Sequence, residues 1–186
     1  WFEETFVKYK PKKMIGIEPS TECLFIAKKV NNPLCEFKKG SAPKLTFPDN
    51  SFDTVVSWEV LEHIPKGTEQ ILFSEISRVL KPGGSLFLST PFKHVLSNSL
   101  DPAWWFIGHR HYSKKHLQTL CRDNSLRVKK IYARGKIFVL LSSLNMYISK
   151  WIFGRDRIFN NFFRKKSQIE YRKSGYVTVI LHATKN

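Results

Sequence analysis

The sequence predicts an α/β fold in which helices cover both faces of a mostly parallel sheet. Short apolar runs typical of strands alternate with segments whose apolar residues recur at helical spacing. Turn-forming residues separate these segments, as in the Pro-Gly-Gly of residues 82–84. The last apolar run, residues 176–184, follows a long insertion and is rich in β-branched residues. It is predicted to join the sheet as an antiparallel strand.

Apolar periodicity predicts strands and helices in alternation along the chain. The strands are residues 14–17, 34–37, 53–57, 85–89, 127–132 and 176–184. The helical segments are residues 2–9, 20–30, 67–84 and Lys114–Asp123, with Ser20 and Ser113 as amino-terminal caps. Between residue 91 and Ser113 the pattern loosens, and Trp104, Trp105 and Phe106 are predicted to lie in a loop.

Length and composition are those of a globular protein. With 186 residues and 42% hydrophobic content, the chain is predicted to form a single domain, residues 1–186, with a real core. Its three cysteines are odd in number and show no CxxC spacing. That pattern indicates neither a disulfide framework nor a zinc site, and it favours a reducing cytoplasm.

The formal charge of +16 belongs mainly to the carboxyl-terminal part of the chain, where residues 127–173 contain thirteen Lys and Arg against two acids. An insertion within it, residues 135–174, is too long for an ordinary connection and mixes large apolar residues with cations. This composition suits helices at an anionic membrane surface. A nucleic-acid groove is less favoured, because the aromatic residues are clustered rather than spread among the charges. The alternative is a helical lid packed on the domain.

An acidic and histidine-bearing run follows the third predicted strand. Glu59, Glu62 and His63 lie in SWEVLEHIP, residues 57–65. Parallel α/β folds bind ligands at the carboxyl ends of their strands, which makes this run a candidate site. If the turn continues as a helix, spacings of three and four place the three side chains on one face. His63 is favoured for handling a proton, since imidazole titrates near neutrality. The alternative is a structural turn with His63 bonded to the backbone.

Four ordered motifs support a family resemblance. They are IGIEPS at residues 15–20, KGSAPKLTFPDNSFD at 39–53, SWEVLEHIP at 57–65 and RVLKPGGSLFLSTP at 78–91. Together they resemble the second half of a class I S-adenosylmethionine-dependent methyltransferase domain, over about half of the chain. The resemblance implies a Rossmann-like doubly wound sheet with an antiparallel last strand, S-adenosylmethionine as cofactor and methyl transfer as activity.

The resemblance also implies which residues contact the cofactor. A carboxylate at a strand end, here Glu18, can accept hydrogen bonds from both ribose hydroxyls. Ser41 replaces the family's usual aspartate beside adenine, where a hydroxyl binds the exocyclic amine more weakly than a carboxylate would. The residues implied to line the cofactor are Glu18, Pro19, Ser20, Ser41, Ala42, Trp58 and Glu59.

The family's first strand and glycine-rich loop have no counterpart in this sequence. Residues 1–4 are in register with the helix that follows that loop in the family. A parallel sheet that lacks a central strand leaves unpaired backbone groups. We therefore expect this sequence to be an amino-terminally truncated fragment of a longer protein, and we expect the fragment itself to be inactive.

His109 and His111, in GHRHYS at residues 108–113, resemble family residues that border the acceptor pocket. With His63 they are the candidate catalytic residues, and Trp104, Trp105 and Phe106 could form an apolar wall beside them. ExxEH at residues 59–63 also resembles metal-binding RNA 2′-O-methyltransferases and ubiquinone-pathway O-methyltransferases. Because EVLEH recurs in relatives that need no metal, no metal ligand is predicted.

The function predicted from sequence is S-adenosylmethionine-dependent methyl transfer to a small or lipid-like acceptor, by a cytoplasmic protein that can lie at an anionic membrane surface. One alternative is a non-catalytic methyltransferase-like module that docks a membrane or partner. Another is a metal-assisted RNA 2′-O-methyltransferase. The sequence predicts no oligomeric state.

Overall fold

The computed structural model describes residues 10–29, 32–154 and 159–186, with the side chains of residues 106 and 107 excepted. The predicted helical segment at residues 2–9 and the end of the one predicted at 20–30 lie outside these ranges. The chain divides into two compact units, Trp1–Pro48 and Asp49–Asn186. Each unit has its own sheet.

The first unit contains a two-stranded parallel sheet and one helix. Strand β1 (Met14–Glu18) pairs with β2 (Cys35–Lys39), and helix α1 (Thr21–Ala27) connects them. The predicted cap is confirmed, because the Ser20 hydroxyl accepts a hydrogen bond from the Cys23 amide at 3.2 Å. Helix α1 packs on β2 through a small core of Leu24, Ala27 and Phe37.

The second unit contains a four-stranded sheet in the order β3-β4-β6-β5. Strands β3 and β4 are parallel, and β6 runs antiparallel to both β4 and β5, which confirms the predicted antiparallel last strand. In chain order its elements are β3 (Phe52–Trp58), α2 (Glu69–Val79), β4 (Leu80–Pro91), α3 (Val95–Leu100), α4 (Pro102–Ile107), α5 (Lys114–Asp123), β5 (Leu126–Arg134), α6 (Ile137–Trp151), α7 (Asn160–Tyr171) and β6 (Thr178–Lys185).

The core of the second unit lies between its sheet and two helices. Helix α2 contacts β4 and α5, and α5 contacts β5, so the two helices cover a common face. Fully buried leucines, Leu86, Leu88 and Leu181, face this layer from the sheet, and Phe73 and Leu117 face it from the helices. Burial of side chains of this size stabilises the fold by roughly 1.5–3 kcal/mol each. The core therefore fixes the strand ends that carry the candidate site.

Two predicted boundaries differ from the structure. The Pro-Gly-Gly turn of residues 82–84 lies inside β4, where the pairing to β3 jumps from Leu80 to Ser85. It therefore acts as a bulge, and a Cβ on Gly84 would lie 2.8 Å from the Lys81 carbonyl oxygen. The predicted aromatic loop is wrong, because residues 102–107 form α4. Asp101 caps this helix, Pro102 begins it and Gly108 ends it with a φ of 67°.

The basic insertion folds into two helices that contact each other, α6 and α7. The amino terminus of α6 is capped from α7, since the Glu170 carboxylate accepts hydrogen bonds from the amides of Lys136, Phe138 and Val139 at 2.9–3.1 Å. A carboxylate also suits the positive end of the helix dipole. Among the described residues, no helix is both long and apolar enough to cross a membrane.

Candidate active site

The candidate site lies in the second unit, at the carboxyl ends of β3 and β4. The turn at residues 59–64 leaves β3, and residues 109–112 pass beside the end of β4. The Tyr112 amide donates to the Pro91 carbonyl at 2.9 Å, and the Lys93 amide donates to the Tyr112 carbonyl at 3.0 Å. These bonds bring the sequence run that contains His109 and His111 to the strand edge where ligands of this fold class bind.

The turn after β3 does not continue as a helix, so the condition for placing Glu59, Glu62 and His63 on one helical face is not met. Glu59 adopts a left-handed conformation with a φ of 50°, and residues 61–63 form a hydrogen-bonded turn closed by the His63 amide and the Val60 carbonyl. The two acids still face the sheet together. Ser89 Oγ donates to Glu59 Oε1 at 2.6 Å, and Thr90 Oγ1 donates to Glu62 Oε2 at 2.9 Å. Adjacent residues of β4 thus hold both carboxyl groups.

Arg110 holds the shape of this turn. Its guanidinium donates to the backbone carbonyls of Leu61, Glu62 and Ile64 and forms an ion pair with Glu69 at the start of α2. Arginine suits this role because its planar group offers several donors in fixed directions. Glu62 is therefore fixed from its backbone by Arg110 and from its side chain by β4.

Asp101 connects the two histidines of the neighbouring segment. Its Oδ2 atom lies 3.2 Å from His109 Nδ1 and 2.8 Å from His111 Nε2, while its Oδ1 atom caps α4 by accepting from the Ala103 amide. The remaining ring nitrogen of His111 lies 2.7 Å from Asn98 Oδ1. Because both ring nitrogens of His111 are engaged and its side chain is 1% exposed, His111 positions Asp101 within a hydrogen-bonded chain.

His109 has one ring nitrogen directed toward the acids. With Nδ1 on Asp101, its Nε2 atom lies 3.9 Å from Glu62 Oε1. His63 approaches the same oxygen, with Nε2 at 4.0 Å, and the rings of the two histidines are 4.8 Å apart. Glu62 Oε1 is buried and has no hydrogen-bond partner among the described residues. A buried carboxylate oxygen of this kind is costly unless a proton or a ligand satisfies it.

The cluster borders an open cleft of about 380 Å³. The side chain of Glu62 is fully buried at its floor, whereas that of His63 is more than half exposed at its edge. A small polar ligand could thus reach the histidines from solvent. The cleft is lined by Glu62, His63, Ile64, Lys66, Gly108, His109 and Arg110.

Burial and mutual repulsion perturb the protonation of the acids. Desolvation, followed by the charge of Glu59, raises the pKa of Glu62 to about 7. The pKa of Glu59 is also raised by desolvation of its carboxyl group, although other parts of this residue are exposed. Two adjacent carboxyl groups with raised pKa values favour a state in which one of them keeps its proton near neutrality.

The histidine that faces Glu62 is shifted toward its charged form. Burial alone would lower the pKa of His109, but the hydrogen bond to Asp101 and the charge of Glu62 outweigh burial and raise it. The pKa of His63 is lowered by desolvation and by the nearby His109 and Arg110. The raised pKa of His109 beside a carboxyl group whose pKa is about 7 suits a pair that takes up and returns protons.

The same atoms could also serve as metal ligands. One ligand atom each from Glu62, His63 and His109 lie within 4.8 Å of one another, and so do those of Asp101, His109 and His111. The first set includes the unpartnered Glu62 oxygen. In this first set, His109 would bind the cation through Nε2, while its other ring nitrogen, Nδ1, is held by the Asp101 carboxylate. Histidines that bind metals are commonly oriented in this way.

The three predicted catalytic histidines are brought together, but in unequal positions. His109 and His63 border the cleft, whereas His111 is buried behind Asp101. Among the three residues of the predicted apolar wall, Trp104 lies against His111, with 5.0 Å between the centroids of the two rings. Trp105 is 68% exposed, and the side chain of Phe106 lies outside the described residues.

The residues that the resemblance assigns to the cofactor lie at strand ends and turns. Glu18 ends β1 and accepts from the Ser20 amide at 2.8 Å, and Ser20 also caps α1 after the exposed Pro19. Ser41 and Ala42 lie in a turn closed between Ser41 and Lys44. Trp58 ends β3, followed by Glu59.

Sequence reasoning missed Asp101 and Asn98 as site residues, and it placed Arg110 in the run that borders the acceptor pocket without predicting its contacts. Asp101 precedes Pro102, a pattern that indicates a helix cap, and Asp101 does cap α4 with one oxygen while the other holds the histidines. Arg110 donates hydrogen bonds to the backbone carbonyls of Leu61, Glu62 and Ile64, which precede it by 46 to 49 positions. No local spacing in the sequence indicates contacts at that separation.

We predict that the Glu62→Gln variant changes how stability depends on pH. Native Glu62 keeps its proton up to about pH 7, whereas the unfolded chain loses it near the ordinary value of 4.5. The free energy of unfolding should therefore fall as pH rises through this interval, by roughly 3 kcal/mol from this residue. The neutral amide removes that contribution and can still accept from Thr90. Chemical denaturation of both proteins between about pH 4.5 and 7 measures the free energy of unfolding at each pH. An equal dependence of this free energy on pH in both proteins would contradict the raised pKa of Glu62.

Comparison with known proteins finds a family that matches just under half of the chain. Residues 2–88 match the model of a methyltransferase domain. An uncharacterized methyltransferase of Schizosaccharomyces pombe is 41% identical over 92 residues, which cover 42% of this chain and 32% of that protein. A sterol 24-C-methyltransferase of Gibberella zeae is 53% identical over 49 residues, which cover 26% of this chain and 12% of that enzyme. The chain thus matches about a third or less of the length of these relatives.

Solved structures agree on the fold. An S-adenosylmethionine-dependent methyltransferase from Mesorhizobium loti superposes with a TM-score of 0.67, covering 100% of this chain and 86% of that one at 13% identity. At that identity the match shows a shared Rossmann-like fold. Together with the ordered motifs, the domain match over residues 2–88, just under half of the chain, makes this part of the chain similar to the class I S-adenosylmethionine-dependent methyltransferases.

Proposed function

We propose that the protein transfers a methyl group from S-adenosylmethionine to a lipid-like or small acceptor, with His109 handling the acceptor's proton. The observation that carries the proposal is the arrangement of Asp101, His109 and the buried Glu62 at the carboxyl end of β3, in a chain that matches a methyltransferase domain over residues 2–88. The lipid-like acceptor is supported by relatives named sterol 24-C-methyltransferases, which are 48–53% identical over 48–50 residues in several fungi.

The cofactor supplies an electrophilic methyl group when it is bound, so the protein must chiefly align the acceptor and remove a proton from it. His109 is arranged for that task. Its Nδ1–H donates to Asp101, which leaves the lone pair of Nε2 directed toward the cleft and Glu62. The negative charge of Asp101 stabilises the imidazolium that forms when Nε2 takes up the proton.

Glu62 provides a second position for the same proton. Its Oε1 atom lies 3.9 Å from His109 Nε2, and its raised pKa lets it gain or lose a proton near neutrality. His63, at the exposed edge, is placed to contact the acceptor rather than to accept its proton first, because its pKa is lowered. His111 supports Asp101 from the buried side.

The chemistry of Glu18 fits the ribose of the cofactor. Its carboxylate stands at the carboxyl end of a parallel strand, and its Oε1 atom is fixed by the Ser20 amide. We assign to cofactor binding the residues that the family resemblance indicates, namely Glu18, Pro19, Ser20, Ser41, Ala42, Trp58 and Glu59.

A second candidate function is metal-assisted methyl transfer, which the unpartnered Glu62 Oε1 atom favours. Glu62, His63 and His109 would hold a divalent cation, which would lower the pKa of an acceptor hydroxyl. Two imidazoles and one carboxylate suit zinc, iron or manganese better than magnesium, which prefers oxygen ligands.

Binding of S-adenosylhomocysteine tests the main proposal. We expect the full-length protein, with the expected upstream strand and glycine-rich loop, to bind this product, and we expect Glu18→Gln to weaken binding about tenfold because an amide accepts ribose hydrogen bonds less strongly than a carboxylate. Isothermal titration calorimetry measures both affinities. Glu22→Gln, an exposed acid of α1, is the control and should leave the affinity unchanged. A full-length wild-type protein that does not bind the product would overturn the proposal.

Direct metal titration tests the second candidate. If the three side chains hold a cation, zinc or manganese should bind in calorimetry with one equivalent per chain, and His63→Ala should weaken that binding about tenfold or more. His116→Ala, an exposed histidine of α5, is the matched control. Equal metal affinity in all three proteins would reject a site at the cleft and leave proton transfer by His109 as the mechanism.

A further inference from the structure

Helix α6 carries a continuous apolar stripe on its exposed face. The stripe residues follow each other at spacings of four, three, four and four, which places them on one side of a helix. Each is between 36% and 70% exposed. They are Ile137, Leu141, Leu144, Ile148 and, one residue beyond the helix, Ile152. An exposed apolar stripe of this length is unusual on a helix face that contacts only solvent, and such surfaces often mark sites of interaction.

The exposed apolar surface is largest where α6 ends and α7 begins. Ile152 is 70% exposed, and Phe153 is 53% exposed. On the other side of the connection, Phe159 is 74% exposed and Phe162, in the first turn of α7, is 50% exposed. We call these four residues, together with the α6 stripe, the apolar face of the hairpin formed by α6 and α7.

Cations accompany the apolar face, and acids are scarce. Lys150 is exposed in the last turn of α6, and Arg164, Lys165 and Lys166 are exposed along α7. The only acid within the two helices is Glu170, whose carboxylate is occupied in capping α6. Lys166 lies over the rings of Phe138 and Phe162 at 5.6–5.8 Å. The hairpin thus presents exposed apolar side chains beside positive charge.

The hairpin is fixed to the rest of the second unit close to the candidate active site. Helix α6 contacts α3 and α4, the two helices on either side of Asp101. Burial and, after it, the charge of Asp101 raise the pKa of Tyr147 in α6, in agreement with these helix contacts. Glu170 closes the base of the hairpin through three amides. A partner bound by the apolar face would therefore lie near the site.

We propose that the apolar face of the α6–α7 hairpin docks on an anionic lipid bilayer, with its aromatic and aliphatic side chains in the interfacial region and its lysines and arginines at the lipid headgroups. Charge complementarity argues for this occupant, because an anionic bilayer attracts several nearby cations while it buries apolar side chains. A nucleic acid would satisfy the cations but would leave the aliphatic stripe in water. The proposal does not depend on which acceptor is methylated.

Vesicle binding tests the docking surface without any activity assay. We expect the protein to co-sediment with vesicles of phosphatidylcholine and phosphatidylserine and much less with phosphatidylcholine alone. Ile152→Glu combined with Phe159→Asp should lower the partition coefficient about tenfold or more, since both changes place charge in the apolar face. Aspartate is chosen at position 159 because the residue has a φ of 53°, which aspartate tolerates. Arg164→Glu combined with Lys165→Glu should have an effect of similar size.

Matched controls distinguish binding by this face from non-specific hydrophobic adsorption and from the effect of overall charge. Ile71→Glu changes a half-exposed isoleucine on α2, and Lys28→Glu combined with Lys115→Glu reverses two exposed cations elsewhere. Both controls should bind anionic vesicles within about twofold of wild type. Circular dichroism confirms that each variant is folded. Equal losses in control and hairpin variants would overturn the proposal, as would binding to an RNA oligonucleotide without binding to vesicles. Failure here with intact S-adenosylhomocysteine binding would leave the proposed enzymatic function standing.

Discussion

The carboxylate of Asp101 is the interaction on which the rest of the candidate site depends. One oxygen begins α4 by accepting from the Ala103 amide, and the other faces both His109 and His111. The start of α4, the orientation of His109 and the raised pKa of His109 therefore all depend on one side chain. Burial would raise the pKa of Asp101, but hydrogen bonds from the two histidines and from Ala103 hold it below its usual range. Asp101 thus stays a fixed negative charge while its neighbours titrate.

This arrangement connects the basic hairpin to the site. The helices on either side of Asp101 are those that α6 contacts, and Tyr147 of α6 is within electrostatic reach of Asp101. The surface proposed to bind lipid and the cluster proposed to handle protons therefore share one structural support. For a lipid-like acceptor, such proximity would keep the acceptor's path from the bilayer to His109 short. The insertion then has a reason to be both apolar and basic, which a simple packed lid would not need.

Much of the fold follows from local sequence signals, and much of the site does not. Ser20 and Ser113 cap helices as predicted, because a capping hydroxyl needs an amide only three residues away. The end of β1 at Glu18 and the antiparallel β6 were likewise predictable from apolar runs and turns. Asp101 and Arg110 were not, because their partners become neighbours only when the sheet brings separate chain segments together. The left-handed backbone of Glu59 was not predictable either, because the spacing of Glu59, Glu62 and His63 is equally compatible with a helix.

The central claim is that Asp101 holds His109 as a proton acceptor directed at Glu62. Nuclear magnetic resonance of the ring nitrogens in ¹⁵N-histidine-labelled protein measures this directly, with His109 assigned by comparison with His109→Gln. The account predicts a neutral form protonated on Nδ1 and a His109 pKa above the ordinary 6.5, falling in Asp101→Asn while the fold is retained. A neutral form protonated on Nε2, or a pKa at or below 6.5 that Asp101→Asn leaves unchanged, would contradict it.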